Sequence, residues 1–188
     1  MLGNNQPCAD KKRRQLILAA LGGCALSLNS AIAEQLAYPE LGVSLYNVHT
    51  GESYKREFWA NGEYDIDALE EANYFLRDHR TNDVTQIDPR LLSMLFLMSK
   101  KVGGKQPFSV ISGYRTAETN RKLARLSSYV DKNSFHIKGR AVDVRIPGIQ
   151  TTRLQSAAIN MRTGGVGYYE KSNFIHMDTG PHRVWSRA

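Results

Sequence analysis

The chain has 188 residues, of which 25 are Lys or Arg and 18 are Asp or Glu, for a formal net charge of +7 at pH 7. That length suffices for one domain with a proper core once any leader is removed. Both cysteines, Cys8 and Cys24, precede residue 34, so the chain beyond them has no internal disulfide, thiol nucleophile or thiolate metal site.

The first element is an export signal over residues 1–33. Lys11–Lys12–Arg13–Arg14 is a positive n-region, Leu16 to Leu28 is apolar, and Ala31–Ile32–Ala33 offers a cleavage site before Glu34. The apolar run is short for a bilayer span, so no membrane insertion of the mature chain is expected. Arg13–Arg14–Gln15–Leu16–Ile17 resembles a twin-arginine signal, and the plainer alternative is an ordinary n-region with adjacent arginines. Either route predicts a periplasmic protein. Leu21–Gly22–Gly23–Cys24 has a faint likeness to a lipoprotein cleavage site, but the apolar run continues past it to Ala33. Removal of 1–33 takes four bases and one acid (Asp10) from the totals, leaving a net charge of +4. That balance is too mild to argue for nucleic acid, and no basic stripe interleaved with aromatics is visible.

Residues 34–188 then read as one α+β domain, with helices packed on a small, mostly antiparallel sheet. Val43 to Val48 alternates as a strand, His49–Thr50–Gly51–Glu52 turns, and Ser53 to Trp59 returns, which predicts a hairpin. His49 reads as a solvated turn histidine. Asp65 to about Arg80 has helical spacing, with Ile66, Leu69, Ala72 and Leu76 as its buried stripe. Asp88–Pro89 opens a second helix carrying Leu91, Leu92, Leu95, Met98 and Val102, and Gly103–Gly104 ends it. Phe108 to Ser112 is a short strand, Thr116 caps another helix, and 127–134 is a polar loop. Ala141 to Ile146 alternates as a strand, and a helix opened by Thr151 or Thr152 runs through Met161. Gly165 to Tyr169 and Phe174 to Asp178 are two closing strands.

The chemistry lies in two short stretches. His136 precedes Asp143 by seven residues, with a bend at Gly139 between them, and Asp143 belongs to the polar face of its strand with Ala141 and Arg145. His176 and Asp178 likewise share one face of theirs. Two imidazoles and a carboxylate, His136, His176 and Asp143, make the ligand set of a catalytic zinc site with one position left for water. The competing reading is an assortment of solvated polar groups.

Ser112–Gly113–Tyr114–Arg115, the run from Ser134 through His136, Gly139 and Ala141 to Asp143, and the run Phe174–Ile175–His176–Met177–Asp178–Thr179–Gly180 carry a resemblance. With Gly164–Gly165–Val166–Gly167–Tyr168–Tyr169, they resemble the superfamily of zinc D-alanyl-D-alanine carboxypeptidases and murein endopeptidases. The likeness covers nearly all of the mature chain. It implies a hedgehog/D-Ala-D-Ala-peptidase-like fold and one zinc ion per chain held by His136, Asp143 and His176. It also implies Arg115 beside the substrate and peptidoglycan stem peptides as partner. Hydrolysis of cross-links between two diaminopimelate residues, or between D-alanine and diaminopimelate, is the activity it suggests. Trimming of stem peptides by a carboxypeptidase is the alternative within enzymes, and a non-catalytic wall-binding module is the alternative outside them.

One departure stands out. Many members of that superfamily carry an acidic general base three residues before the last zinc histidine, and this chain has Asn173 there. Asp178, Glu170 and His182 are the remaining candidates, with Asp178 favoured for its position on the ligand-bearing face. Asp178 could instead hydrogen-bond a ligand imidazole. For Arg115 the competing reading is an exposed pair with Glu118.

Overall fold

The computed structural model describes residues 38–187; the export signal expected over 1–33, Cys8 and Cys24 lie outside the described residues. The first hairpin forms as its alternation predicts. Strands β1 (Glu40–Asn47) and β2 (Ser53–Ala60) pair antiparallel and bury Leu41, Val43 and Leu45. A two-residue strand, β3 (Glu63–Tyr64), extends the sheet beyond the Asn61–Gly62 turn.

Helix α1 (Ile66–Phe75) begins at Asp65, whose carboxylate accepts from the Ala68 amide. Its periodicity predicts continuation to about Arg80, yet it ends at Phe75. The cause is tertiary. The Leu76 carbonyl accepts from the Tyr114 amide, Arg77 forks onto both oxygens of Glu52, and the buried Asp78 accepts from the amide and hydroxyl of Thr116. Together these contacts draw 76–78 off the helical path. Ala72 and Leu76 of the expected stripe are buried, whereas Ile66 is 63% exposed and Ala68 and Phe75 are buried beside them.

Helix α2 (Pro89–Val102) has its expected ends: Asp88 accepts from the Arg90 amide, Pro89 takes the first position, and Gly103 closes it in the left-handed conformation. It packs on β1 and buries Leu91, Leu92, Leu95 and Met98. Strand β4 (Phe108–Ser112) joins β1 in parallel, and α3 (Ala117–Leu126) follows, capped by Thr116. After the 127–134 segment comes one 3₁₀ turn (Phe135–Lys138), then β5 (Ala141–Arg145). Helix α4 (Thr151–Met161) starts where expected, but without a threonine cap. Gln150 holds that position with no side-chain bond, and the Thr151 hydroxyl donates instead to Asn173 Oδ1 at 2.8 Å.

The chain closes with β6 (Gly165–Tyr169), β7 (Phe174–Asp178) and a further strand, β8 (Arg183–Arg187), parallel to β6. The hydrophobic pattern gives no warning of β8, which is largely exposed and has arginine at both ends. The strands form one sheet in the order β3-β2-β1-β4-β5-β7-β6-β8, and only the β1/β4 and β6/β8 pairings are parallel. This is a mostly antiparallel α+β domain, with a wider sheet than the sequence suggests. Val142, Val144, Val166, Ile175 and Met177 join the helices in the core. The alternate residues of the same strands face the other way and build the site. Among the described residues no helix is long and apolar enough to cross a membrane.

Candidate metal centre

Strand register sets three rows of residues side by side on that second face. Asp143 lies opposite His176, His176 opposite Gly167, and Gly167 opposite Trp185. On one side of this row runs Ala141–Asp178–Gly165–Arg183, and on the other Phe174–Tyr169–Arg187. His136 comes from outside the sheet, on the 3₁₀ turn. Gly139 ends that turn at φ +63°, packed so closely on the Gln86 carbonyl that a Cβ has no room.

The two imidazoles are held in opposite senses. His136 Nδ1 is 2.6 Å from the Gly113 carbonyl, and His176 Nε2 is 2.9 Å from Asp178 Oδ2. A carbonyl and a carboxylate only accept, so each ring carries its proton there and turns a lone pair to the other side. His136 Nε2, His176 Nδ1 and Asp143 Oδ1 therefore converge, separated by 3.1, 3.2 and 2.9 Å. Around a tetrahedral ion with bonds of about 2.0–2.1 Å, neighbouring ligand atoms lie about 3.3–3.4 Å apart. A spread of less than about half an ångström would admit one. These three buried residues are a group that could hold a metal ion.

The charges around the three atoms suit that task. Burial pushes the His136 imidazole down to about 4, with the Arg115 guanidinium adding to the effect, so the ring is neutral at pH 7. Burial opposes ionisation of Asp143, but His136, Arg115 and His176 outweigh it and hold the carboxyl well below the usual range. For His176, burial favours the neutral ring, and the carboxylates of Asp143 and Asp178 raise its pKa in spite of it.

Arg115 leaves the end of β4 and turns into this site. Its Nε donates to Ser112 Oγ at 2.7 Å and its Nη2 to Asp143 Oδ2 at 2.5 Å, which leaves Asp143 Oδ1 for the centre. The exposed pairing with Glu118 is not what forms, since Glu118 pairs with Lys122.

Asp178 lies behind the His176 ring. The carboxylate is fully buried, and each group around it is a donor: His176 Nε2, Arg183 Nη1 and Nη2 at 3.0 and 2.6 Å, and the amides of Gly180 and Gly165. Burial raises its pKa, and the bonds from His176 and Arg183 more than reverse that, leaving it well below the ordinary range. The glycines of β6 make this packing possible. A Cβ on Gly165 would lie 2.5 Å from both Arg183 Nη1 and Asp178 Oδ2, and one on Gly167 would meet the Trp185 indole at the same distance. Trp185 in turn lies 5.2 Å from the His176 ring. The Gly-Gly-Val-Gly run is thus shaped by side chains that cross it.

A cleft of about 670 Å³ opens over the three converging atoms, between β8 and the 127–134 segment. Arg115 lines it, together with Tyr169, Phe174, Arg183, Trp185 and Arg187, none of which the sequence alone brings to the site. Glu170 and His182 do not line it; Glu170 is exposed at the β6–β7 turn and His182 Nδ1 is 3.2 Å from the Gly164 carbonyl. His49 stays in its turn, outside the metal group. It is not merely solvated, since its Nε2 lies 3.0 Å from the Ile111 carbonyl and its ring stacks on His79.

Residues 37–185 match the peptidase family model described as "Peptidoglycan L,D-endopeptidase MepK". The chain belongs to the MepK family. The peptidoglycan L,D-endopeptidase MepK of Escherichia coli (strain K12) is 43% identical over 182 residues, covering 94% of this chain and 98% of the relative. The probable peptidoglycan L,D-endopeptidase MepK of Haemophilus influenzae is 38% identical over 181 residues, covering 94% and 96%. The crystal structure of Serratia marcescens L-Ala D-Glu endopeptidase ChiX has a slighter likeness, with a TM-score of 0.34 and 22% identity over 50% of this chain and 68% of that one. All of the residues that converge here fall inside the stretch matched to the MepK family.

Proposed function

We propose that this protein is a zinc endopeptidase of the periplasm that hydrolyses peptide cross-links in peptidoglycan, acting on the L,D bond between two diaminopimelate residues. The observation that carries this reading is the meeting of His136 Nε2, Asp143 Oδ1 and His176 Nδ1 beneath an open cleft, in a chain of the MepK family. The name shared by its relatives favours the L,D bond over the D-alanyl–diaminopimelate link. The leader over 1–33 supports export, by the twin-arginine route.

Zinc, when bound, supplies a Lewis acid for the amide carbonyl and lowers the pKa of a water toward roughly 7. His136 and His176 offer it unprotonated nitrogens because their other nitrogens are engaged by Gly113 and Asp178. Arg115 occupies the outer oxygen of Asp143, keeping that carboxylate charged and fixed in rotation. Its Nη1, without a partner among the described residues, would hold a substrate carboxylate. The surroundings of Asp178 favour an orienting role on His176. A carboxylate enclosed by donors has no lone pair turned to the cleft, so proton transfer from water is the less suitable task.

Purified cross-linked muropeptide dimers, incubated with wild type and with His136→Ala, test the reading. Dimers split by wild type alone support it. Dimers left intact by zinc-loaded wild type, yet bound by it, would favour the wall-binding module. Release of single residues from monomeric stems, with dimers untouched, would favour a carboxypeptidase.

A further inference from the structure

Three guanidinium groups line the cleft, and two are already committed. Arg183 is held by both oxygens of Asp178, and Arg115 by Asp143 and Ser112. Arg187 is different. Among the described residues its exposed guanidinium makes neither an ion pair nor a hydrogen bond. The guanidinium lies 5.8 Å from the face of the Tyr129 ring, and the Arg187 carbonyl accepts from the Glu170 amide. Asp131 also lines the cleft, but it accepts from the Asn133 amide and is not paired with Arg187.

The place of Arg187 is set by register. It stands opposite Tyr169, which stands opposite Phe174, in the row beside the one that holds Asp143, His176 and Trp185. Two residues along a strand span roughly 6–7 Å, about two residue steps of an extended peptide bound beside it. The Tyr169 and Phe174 rings stack at 4.6 Å and floor this row with apolar surface, where a charge contact is less screened than in open water. Trp185 Nε1 donates to the Tyr169 hydroxyl at 3.3 Å, which leaves that hydroxyl's own proton to give to a ligand. Arg187 lies beyond the stretch matched to the MepK family, which ends at Trp185.

We infer that Arg187, over the stacked rings of Tyr169 and Phe174, binds a free carboxylate of the substrate next to the residue whose amide is cut. This rests on the peptidoglycan-peptide reading above and deepens it. The ligand is a carboxylate, and two of those that a stem peptide carries are the candidates: the side-chain carboxyl of diaminopimelate and the peptide's C-terminus.

Stem-peptide monomers, the products of cross-link cleavage, serve as probes by calorimetry on the zinc-loaded protein. Three forms are compared: unmodified, amidated at diaminopimelate, and amidated at the C-terminus. Wild type is expected to lose roughly tenfold or more in affinity when the recognised carboxylate is amidated. Arg187→Gln should lose the same factor on the unmodified stem and nothing further on that amidated form, and Arg187→Lys should fall between. The arm in which the effect vanishes names the source. Equal losses by Arg187→Gln on all three forms, no loss on any, or no binding of stems by wild type would overturn the inference. The expected pattern, combined with failure of zinc-loaded wild type to split dimers, would keep the carboxylate subsite and remove the endopeptidase.

Discussion

Asp178→Asn separates orientation from proton transfer at the candidate centre, because the substitution preserves shape while removing the negative charge and turning one acceptor atom into a donor. Five donors surround the carboxylate: His176 Nε2, two from Arg183, and the amides of Gly165 and Gly180. An asparagine must turn its NH₂ toward some of them. If it faces His176, the imidazole moves its proton to Nδ1, the atom needed for the metal. If it faces Arg183 and the glycines, buried donors lose their acceptor, at about 1–3 kcal/mol for each such group. Loss of an outer hydrogen-bond partner of a ligand histidine typically costs about 10–100-fold in metal affinity or activity. Competition with a chromophoric chelator should therefore show zinc bound about 10–100-fold more weakly by Asp178→Asn, with much of the turnover restored at saturating zinc. Undiminished zinc affinity together with a fall in turnover of roughly 10²–10⁴ would refute this reasoning and make Asp178 the proton acceptor.

Arg115→Met leaves the buried Asp143 without its guanidinium, so urea unfolding of chelator-treated protein should show a loss of about 3–5 kcal/mol, and a smaller one with zinc present. Gly167→Ala places a methyl group against the Trp185 indole, with an expected overpacking cost of about 1–3 kcal/mol, read as a lowered melting temperature. The metal-free protein should lose stability as pH falls. His136 titrates at about 4 when folded against an ordinary 6.5, so the unfolded chain takes up its proton first and stability declines across that interval. Asp143 and Asp178, both depressed, stabilise the fold above their ordinary value and withdraw that contribution as pH drops below about 3.8. The raised His176 runs the other way: its contribution is complete below 6.5 and is lost as pH rises through its folded pKa. Melting temperatures at fixed ionic strength follow all three.

Much of this fold is legible in the sequence, where the signal is local. Asp88–Pro89 and Gly103 mark the ends of α2 because caps act within one turn, and Val43 to Val48 reads as a strand because alternation repeats every two residues. The same alternation puts Asp143, His176 and Asp178 on polar faces. What it does not contain is register between distant strands. Whether Asp178 faces a cleft or the back of His176 depends on Arg183 reaching across Gly165, a contact among three strands. The early end of α1 depends similarly on Glu52, Tyr114 and Thr116, brought in from elsewhere in the chain. Strand β8 is the plainest case. Its outward residues lack an apolar pattern, so the wall holding Trp185 and Arg187 becomes visible only once β6 is in place.

Digestion of cross-linked muropeptide dimers with product masses, on protein of measured zinc content, tests the central claim most directly. The account predicts about one zinc per chain and two monomer masses from each diaminopimelate–diaminopimelate dimer. It also predicts loss of cleavage with a chelator and its return on adding zinc back. Dimers that survive intact with zinc bound, or cleavage that persists after the metal is gone, would contradict it.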